Sequence, residues 1–326
     1  MRLLSGLPLA ALSTPALSAC FTAGYYVLLI AVALRRPAAQ LPTLGGAALL
    51  GQAFRLVPPG LAAGCLVTAF TIPIMLSRPP DQPQLTIAGS GGGTVALVQG
   101  SRRLAVLVDG GSQPASLQTM LGRHLPFWQR DLSALFVSEP NQANLGGLAG
   151  LTSLYGVGSE FDAGAVFPSV AYASWRAELR GAGLSRRRVR AGARVDFGEG
   201  VVVDVLEPAM LSVDDDPAPV AYRLRVGRLA VLLLNREAIT AEPAQLVADG
   251  QCLDLLILPS GADVDSTLAV AQFLHPRAVI LPQLAKNGTS PSAGQVRTVL
   301  PGARVWTATE GSELTLSASD GRCPVG

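Results

Sequence analysis

No aspartate or glutamate occurs before position 81, and all 23 acidic residues of the chain lie from Asp81 onward. The charged side chains of the first 80 residues are Arg2, Arg35, Arg36, Arg55 and Arg78. This leaves two long charge-free runs, Leu3–Leu34 and Leu56–Ser77. About 20 apolar residues in a helix cover the hydrocarbon core of a bilayer. The pattern therefore predicts a membrane region over 1–80, with two transmembrane helices near 16–34 and 57–77. Leu44–Phe54 is apolar but too short to span, so a re-entrant or interfacial piece is expected there. A cleaved leader would have a shorter apolar centre, and a buried soluble hairpin is the remaining alternative. Arg35, Arg36 and Arg55 mark the positive side. That orientation makes this a multi-pass cell-membrane protein whose C-terminal domain is extracytoplasmic.

Beyond residue 84 the pattern changes to that of an α/β domain. Strand-length apolar runs recur at 94–99, 104–111, 132–138, 201–208, 220–227, 229–235, 253–260, 277–284 and 303–309. Several contain a continuous apolar stretch, such as Leu229–Leu234 and Leu255–Leu258, as in strands covered on both faces. Helical patterns intervene at Pro114–Leu125, Leu145–Leu154, Ser169–Gly181, Thr240–Gly250, Ser266–Leu274 and Ser292–Leu300, with Ser266 and Ser292 as expected N-caps. Strands, a helix, more strands and then alternating units suggest a layered sandwich rather than one doubly wound sheet.

Composition removes several kinds of chemistry. At 49% hydrophobic residues the chain is not disordered, and a net charge of +2 excludes a strongly basic nucleic-acid cage. Its two histidines, His124 and His275, cannot build a histidine-rich metal centre. His124 reads as a last-turn helix cation and His275 as a partly buried turn residue. The four cysteines (Cys20, Cys65, Cys252, Cys323) have no CxxC spacing, so neither a zinc ribbon nor a disulfide scaffold is expected. Asp214–Asp216 precedes Pro217 in an expected exposed turn, and Gly89–Gly93 lacks the Lys-Ser/Thr of a phosphate-binding loop.

The order LAVLVDGG, LSALFVSEPNQANLGGL, VAYRLRVGRLAVLLLN, LDLLILPSGAD, PRAVILPQL resembles a metallo-β-lactamase-fold domain. More narrowly it resembles the C-terminal domain of the ComEC family of DNA-uptake (competence) channels, over residues 84–322. The resemblance implies a four-layer αββα sandwich. It also implies a metal loop written HxHxDH, which in the ComEC-like version reads THPHADHIGGL. Here that stretch is Ser138-Glu139-Pro140-Asn141-Gln142-Ala143-Asn144-Leu145-Gly146-Gly147-Leu148. The vestigial positions are thus Glu139, Asn141, Ala143 and Asn144. The family's bridging aspartate falls at Arg236, after Asn235. The later histidine pair falls in Pro259-Ser260-Gly261, and the early GQGD turn in Gly91-Gly92-Gly93-Thr94.

Asparagine carbonyls are weak neutral ligands, and an arginine repels a divalent cation. The expectation is a catalytically inactive pseudoenzyme with no metal and no cofactor, acting as a structural or partner-binding module. With two spans it cannot form a pore alone, so its partners would be the membrane and another membrane channel subunit. Two alternatives remain. One is a hydrolase or nuclease with a site rebuilt around Asn141, Asn144, Arg236, Ser260 and Asp263. The other is a module binding DNA or anionic lipid through Arg186, Arg187, Arg188 and Arg190, in a stretch (175–194) that holds seven arginines. Against the last, lysine occurs once (Lys286), so arginine is favoured throughout, and Trp175 is a single aromatic.

Overall fold

β-Branched and leucine-rich runs separated by glycine turns build two sheets in the computed structural model, which describes residues 79–163, 169–184, 186–206, 221–236, 239, 252–283 and 289–323. The expected spans 16–34 and 57–77, the helix expected over 240–250 and the Asp214–Asp216 turn lie outside the described residues. Among the described residues no helix is long and apolar enough to cross a membrane. The chain divides into two units. One is Pro79–Leu121 with Gln129–Gly326, and the other is Met1–Arg78 with Gly122–Trp128.

The first sheet contains β1 (Gln84–Ser90), β2 (Gly93–Gln99), β3 (Ala105–Val108), β5 (Ala134–Val137), β7 (Glu160–Asp162), β8 (Arg186–Arg188) and β16 (Glu313–Ser317), in the order β16-β1-β2-β3-β5-β7-β8. The second contains β9 (Arg194–Asp196), β10 (Val201–Leu206), β11 (Ala221–Val226), β12 (Leu229–Leu233), β13 (Leu255–Ile257), β14 (Ala278–Pro282) and β15 (Arg304–Ala308), in the order β15-β14-β13-β12-β11-β10-β9. A two-stranded pair, β4 (Asp131–Leu132) with β6 (Gly156–Val157), stands apart. Each sheet is antiparallel on one side and parallel on the other. The change falls at β3 in the first sheet and at β12 in the second.

Alternation along each strand explains the layers. Val231 and Leu233 of β12 face the first sheet, in a core with Ile87, Val106, Phe136, Tyr222 and Leu224. Leu232 and Leu234 face outward with Leu256, Leu258, Val279 and Leu281. They meet Val270, Ala271 and Leu274 of one helix (Val264–Leu274) and Val296 of another (Ala293–Val299). On the outer face of the first sheet, Trp175 of a helix at Val170–Gly181 donates its indole N–H to Glu160 of β7 at 3.4 Å. The αββα layering expected from the sequence is therefore present. The two sheets are also bonded directly, because buried Tyr222 on β11 donates its hydroxyl to the Val137 carbonyl on β5 at 2.9 Å.

Four local expectations are corrected. The helix expected over Leu145–Leu154 is only Gln142–Leu145, followed by 3-10 turns at Gly146–Leu148 and Leu151–Ser153. Gly147 sits so close to the loop after β3 that a Cβ there would lie 1.9 Å from the Gly110 carbonyl oxygen, and this contact constrains the path of the chain. The helix at Val264 is capped by Asp263 rather than Ser266, whose N–H and hydroxyl both donate to the Asp263 carboxylate. Ser292 does cap its helix, in a reciprocal box with Gln295. His275 is exposed rather than partly buried, and ends its helix in the left-handed region (φ 44°). Finally, Cys252 and Cys323 are joined by a disulfide with Cα atoms 5.3 Å apart, which their 71-residue separation had concealed.

Replacing Tyr222 by Phe leaves the buried Val137 carbonyl without its donor. The expected cost is about 1–2 kcal/mol, measured as a lower urea midpoint with unchanged far-ultraviolet circular dichroism.

Candidate functional site

The strand ends converge on one small cleft. Its wall is formed by the β1–β2 turn (Gly92–Thr94), the end of β3 (Asp109), the loop after β5 (Ser138, Glu139, Asn141, Asn144), the end of β12 (Asn235) and the loop after β13 (Pro259, Ser260). Its volume of about 20 Å³ accommodates on the order of one water or ion. The β1–β2 turn is a two-residue hairpin loop with Gly91 and Gly92 both at positive φ, the geometry that suits right-twisted strands. It therefore serves as a hairpin turn. Gly93 lies where a Cβ would meet the Ala143 carbonyl oxygen at 1.9 Å, so the hairpin and the post-β5 loop touch backbone to backbone.

Glu139, Asn141, Asn144 and Ser260 thus come together as the motif order implies. Ala143 packs on the hairpin and does not line the cleft. Asp263 caps its helix and does not line it either. Arg236 reaches the site through Glu139. Its Nε donates to Glu139 Oε1 at 2.9 Å and its Nη2 donates to the same oxygen. Glu139 is buried while the Arg236 side chain is 42% exposed, so the arginine neutralises an interior carboxylate from the rim.

A second carboxylate lies deeper. Asp109, at φ 58°, ends β3 in the left-handed region that aspartate tolerates better than most residues. Its Oδ1 accepts the Ser138 backbone N–H at 2.8 Å and its Oδ2 accepts the Ser138 hydroxyl at 2.7 Å. Asn144 donates its amide to the Ser138 oxygen at 2.7 Å, and Asn141 accepts the Asn144 N–H at 3.0 Å. Burial drives the Asp109 carboxyl up to about 7. The bonds from Ser138 pull the other way, and the negative charge of Glu139 adds to the rise. The sequence alone gives no bond between Asp109 and Ser138. A serine 29 positions away gives no local signal of such a bond.

The donor set does not fit a divalent metal. Zinc requires thiolate, imidazole or carboxylate donors at about 2 Å. Here the Asn141 oxygen is occupied as a helix cap, the Asn144 amide points its N–H at Ser138, and Glu139 is held by Arg236. Nor is Ser138 an activated nucleophile, because its hydroxyl donates to Asp109 and accepts from Asn144 with no histidine lining the cleft. Among the described residues, the group of acids, histidines or cysteines close enough to share an ion is Cys252, Asp254 and Cys323, where the sulfurs are already bonded to each other.

The arginine-rich stretch lies elsewhere, at β8, an edge strand that pairs with β7 alone within its sheet. Arg186 bonds Asp162 through Nε at 2.5 and 2.6 Å, and Arg176 lies 3.9 Å from Glu160. Arg187, Arg188 and Arg190 are exposed, with the Arg187 guanidinium 5.9 Å from the Phe161 ring centre. Trp175 is buried and offers no stacking surface.

No family model and no curated protein matches this chain. Among solved structures it is similar to the metallo-β-lactamase-fold protein YhfI from Bacillus subtilis (13% identity, 72% of this chain and 100% of that one, TM-score 0.48). It is also similar to a variant of the β-hydroxylase CmlA (14% identity, 89% of this chain and 62% of that one, TM-score 0.49) and to zinc-bound PqqB from Methylobacterium extorquens (10% identity, 72% and 100%, TM-score 0.45). The chain spans 62% of the length of CmlA. All three scores lie below 0.5, so the functional reading rests on the cleft's own residues.

Two predictions follow from this geometry. Arg236→Ala strips Glu139 of its counter-charge and should lower stability by about 1–3 kcal/mol near neutral pH, less than for a fully buried pair because the arginine is partly in water. Denaturant midpoints measure it. The second concerns Asp109, whose folded carboxyl titrates near 7 against 3.8 unfolded. The folded state holds the extra proton between these values, so its stabilising contribution is complete below about pH 4 and is lost as pH rises to about 7, by up to roughly 4 kcal/mol. Glu160, also raised to about 7 by burial, adds a slope of the same sign. Urea titrations from pH 4 to 8 should therefore show Asp109→Asn flattening the wild-type slope without abolishing it.

Proposed function

We propose that this chain is a membrane-anchored metallo-β-lactamase-like domain of ComEC type that works without metal catalysis, as a structural or partner-binding module. The observation that carries the reading is the Glu139–Arg236 ion pair. A guanidinium occupies the strand end where the resemblance calls for an anionic ligand, and it is bound to the residue that replaces the first histidine. Asn141 and Asn144 hold neutral amides already engaged with the backbone and Ser138, and Ala143 offers no ligand atom in its side chain. The reading is supported by a small cleft in which Glu139 is paired with Arg236 and both Asp109 oxygens accept from Ser138. A role beside another membrane channel subunit in DNA uptake is the function the motif order suggests for such a module.

A hydrolase rebuilt around Asn141, Asn144, Arg236, Ser260 and Asp263 is the weaker reading, since Asp263 serves its helix and Arg236 serves Glu139. Anion binding along β8 has a specific observation in its favour: Arg187, Arg188 and Arg190 project from an open sheet edge while Arg186 is tied to Asp162. Charge at a sheet edge also blocks edge-to-edge aggregation, which explains the same arginines without a ligand.

Elemental analysis of the purified full-length protein, with phosphodiester and β-lactam hydrolysis assays, tests the proposal. Substoichiometric zinc, manganese and iron with no chelator-sensitive turnover is expected. Stoichiometric metal with cleavage abolished by chelator would overturn it.

A further inference from the structure

The disulfide leads to an inference that does not depend on the cleft. After β16 the chain folds back over the start of β12. Arg228 donates its N–H to the Ala318 carbonyl at 3.2 Å, and Gly321 approaches so closely that a Cβ there would lie 2.2 Å from the Arg228 carbonyl carbon and the Leu229 nitrogen. Asp254, buried just before β13, ties this segment down from the other side. Its Oδ1 accepts the Arg322 N–H at 3.1 Å and Arg277 Nη1 at 3.3 Å, while its Oδ2 accepts the Ala230 N–H at 3.1 Å. Cys252 lies two residues before Asp254 and Cys323 one residue after Arg322, so the carboxylate's bonds hold the backbone on both sides of the cysteine pair. Their Cα separation of 5.3 Å suits a disulfide without backbone movement. Cys252 is exposed and Cys323 is buried, so an external reagent meets Cys252 first.

We infer that Cys252 and Cys323 are an oxidation site, closed by a thiol–disulfide oxidant, and that this sandwich matures on the oxidising, extracytoplasmic side of the membrane. In the chemistry, the Cys252 thiolate attacks the oxidant's disulfide and expels one of its sulfurs as a thiolate. The Cys323 thiolate then displaces the second, so the two cysteines lose two protons and two electrons and the oxidant leaves as a dithiol. Bonds of this kind persist outside the reducing cytoplasm. The clamp fastens the chain's last described segment to the starts of β12 and β13, the strands whose opposite ends carry Asn235 and Pro259 into the cleft.

The test uses the full-length wild-type protein in spheroplasts, read by peptide mass spectrometry. A charged, membrane-impermeant maleimide should leave Cys252 unmodified. After a membrane-impermeant phosphine reductant, the same maleimide should modify it. Acid-quenched, denatured samples should show Cys252 and Cys323 blocked to alkylation until reduced. Alkylation of either cysteine without reductant, with or without bound metal, would overturn the clamp. A clamp that the impermeant reagents reach only after the membrane is opened would overturn the compartment. Neither result touches the metal-free reading of the cleft, which the elemental analysis decides separately.

Discussion

A carboxylate withdrawn from water has to be neutralised, and the cleft does this twice by different means. Glu139 is met by a guanidinium from another strand. Asp109 is met by two donors from one serine and, near neutral pH, by a proton of its own. Each solution consumes groups that would otherwise be available for chemistry. Arg236 holds the oxygen that a cation would need, and Ser138 spends its hydroxyl on Asp109. The local structure follows from these pairings: the loop after β5 is drawn toward β3 by Ser138 and toward β12 by Glu139, so the two sheets are linked at the cleft as well as through Tyr222.

A layered fold and a reactive centre are separable because they rest on different residues. The inter-sheet core depends on the alternation of Val, Leu and Phe along strands, and none of these side chains is a metal ligand. Reactivity in such a cleft depends on a handful of strand-end side chains. Replacing those with amides and an ion pair leaves the packing undisturbed, provided no charge is stranded. Arg236 meets that condition by facing Glu139 instead of open space, with its stem beside Gly261.

Much of this was legible in the sequence. The runs at 229–235, 253–260 and 277–284 lie where β12, β13 and β14 form, because their uninterrupted apolar centres, such as Leu229–Leu234 and Leu255–Leu258, require cover on both faces. The motif order also located the cleft, since strand ends collect on one side whatever side chains they carry. Other features left no local trace. β8 reads Arg-Arg-Arg and has no hydrophobic pattern, so only its pairing with β7 identifies it as a strand. β16, with its partly exposed alternation, is placed by β1, more than two hundred positions away. The partnership of Asp109 with Ser138 and that of Cys252 with Cys323 are long-range contacts between residues that appear unremarkable in isolation.

The pairing of β1 with β16 has a consequence for biogenesis. Gln84 lies opposite Ser317, so the first described strand of the sandwich waits for the last one to be synthesised. β2 covers only one side of β1 in the meantime, and the other side stays an open template for foreign strands until β16 has been made. A nascent chain of this kind cannot complete its first sheet until β16 has emerged, which makes the interval between the emergence of β1 and that of β16 the time when protection from aggregation matters most.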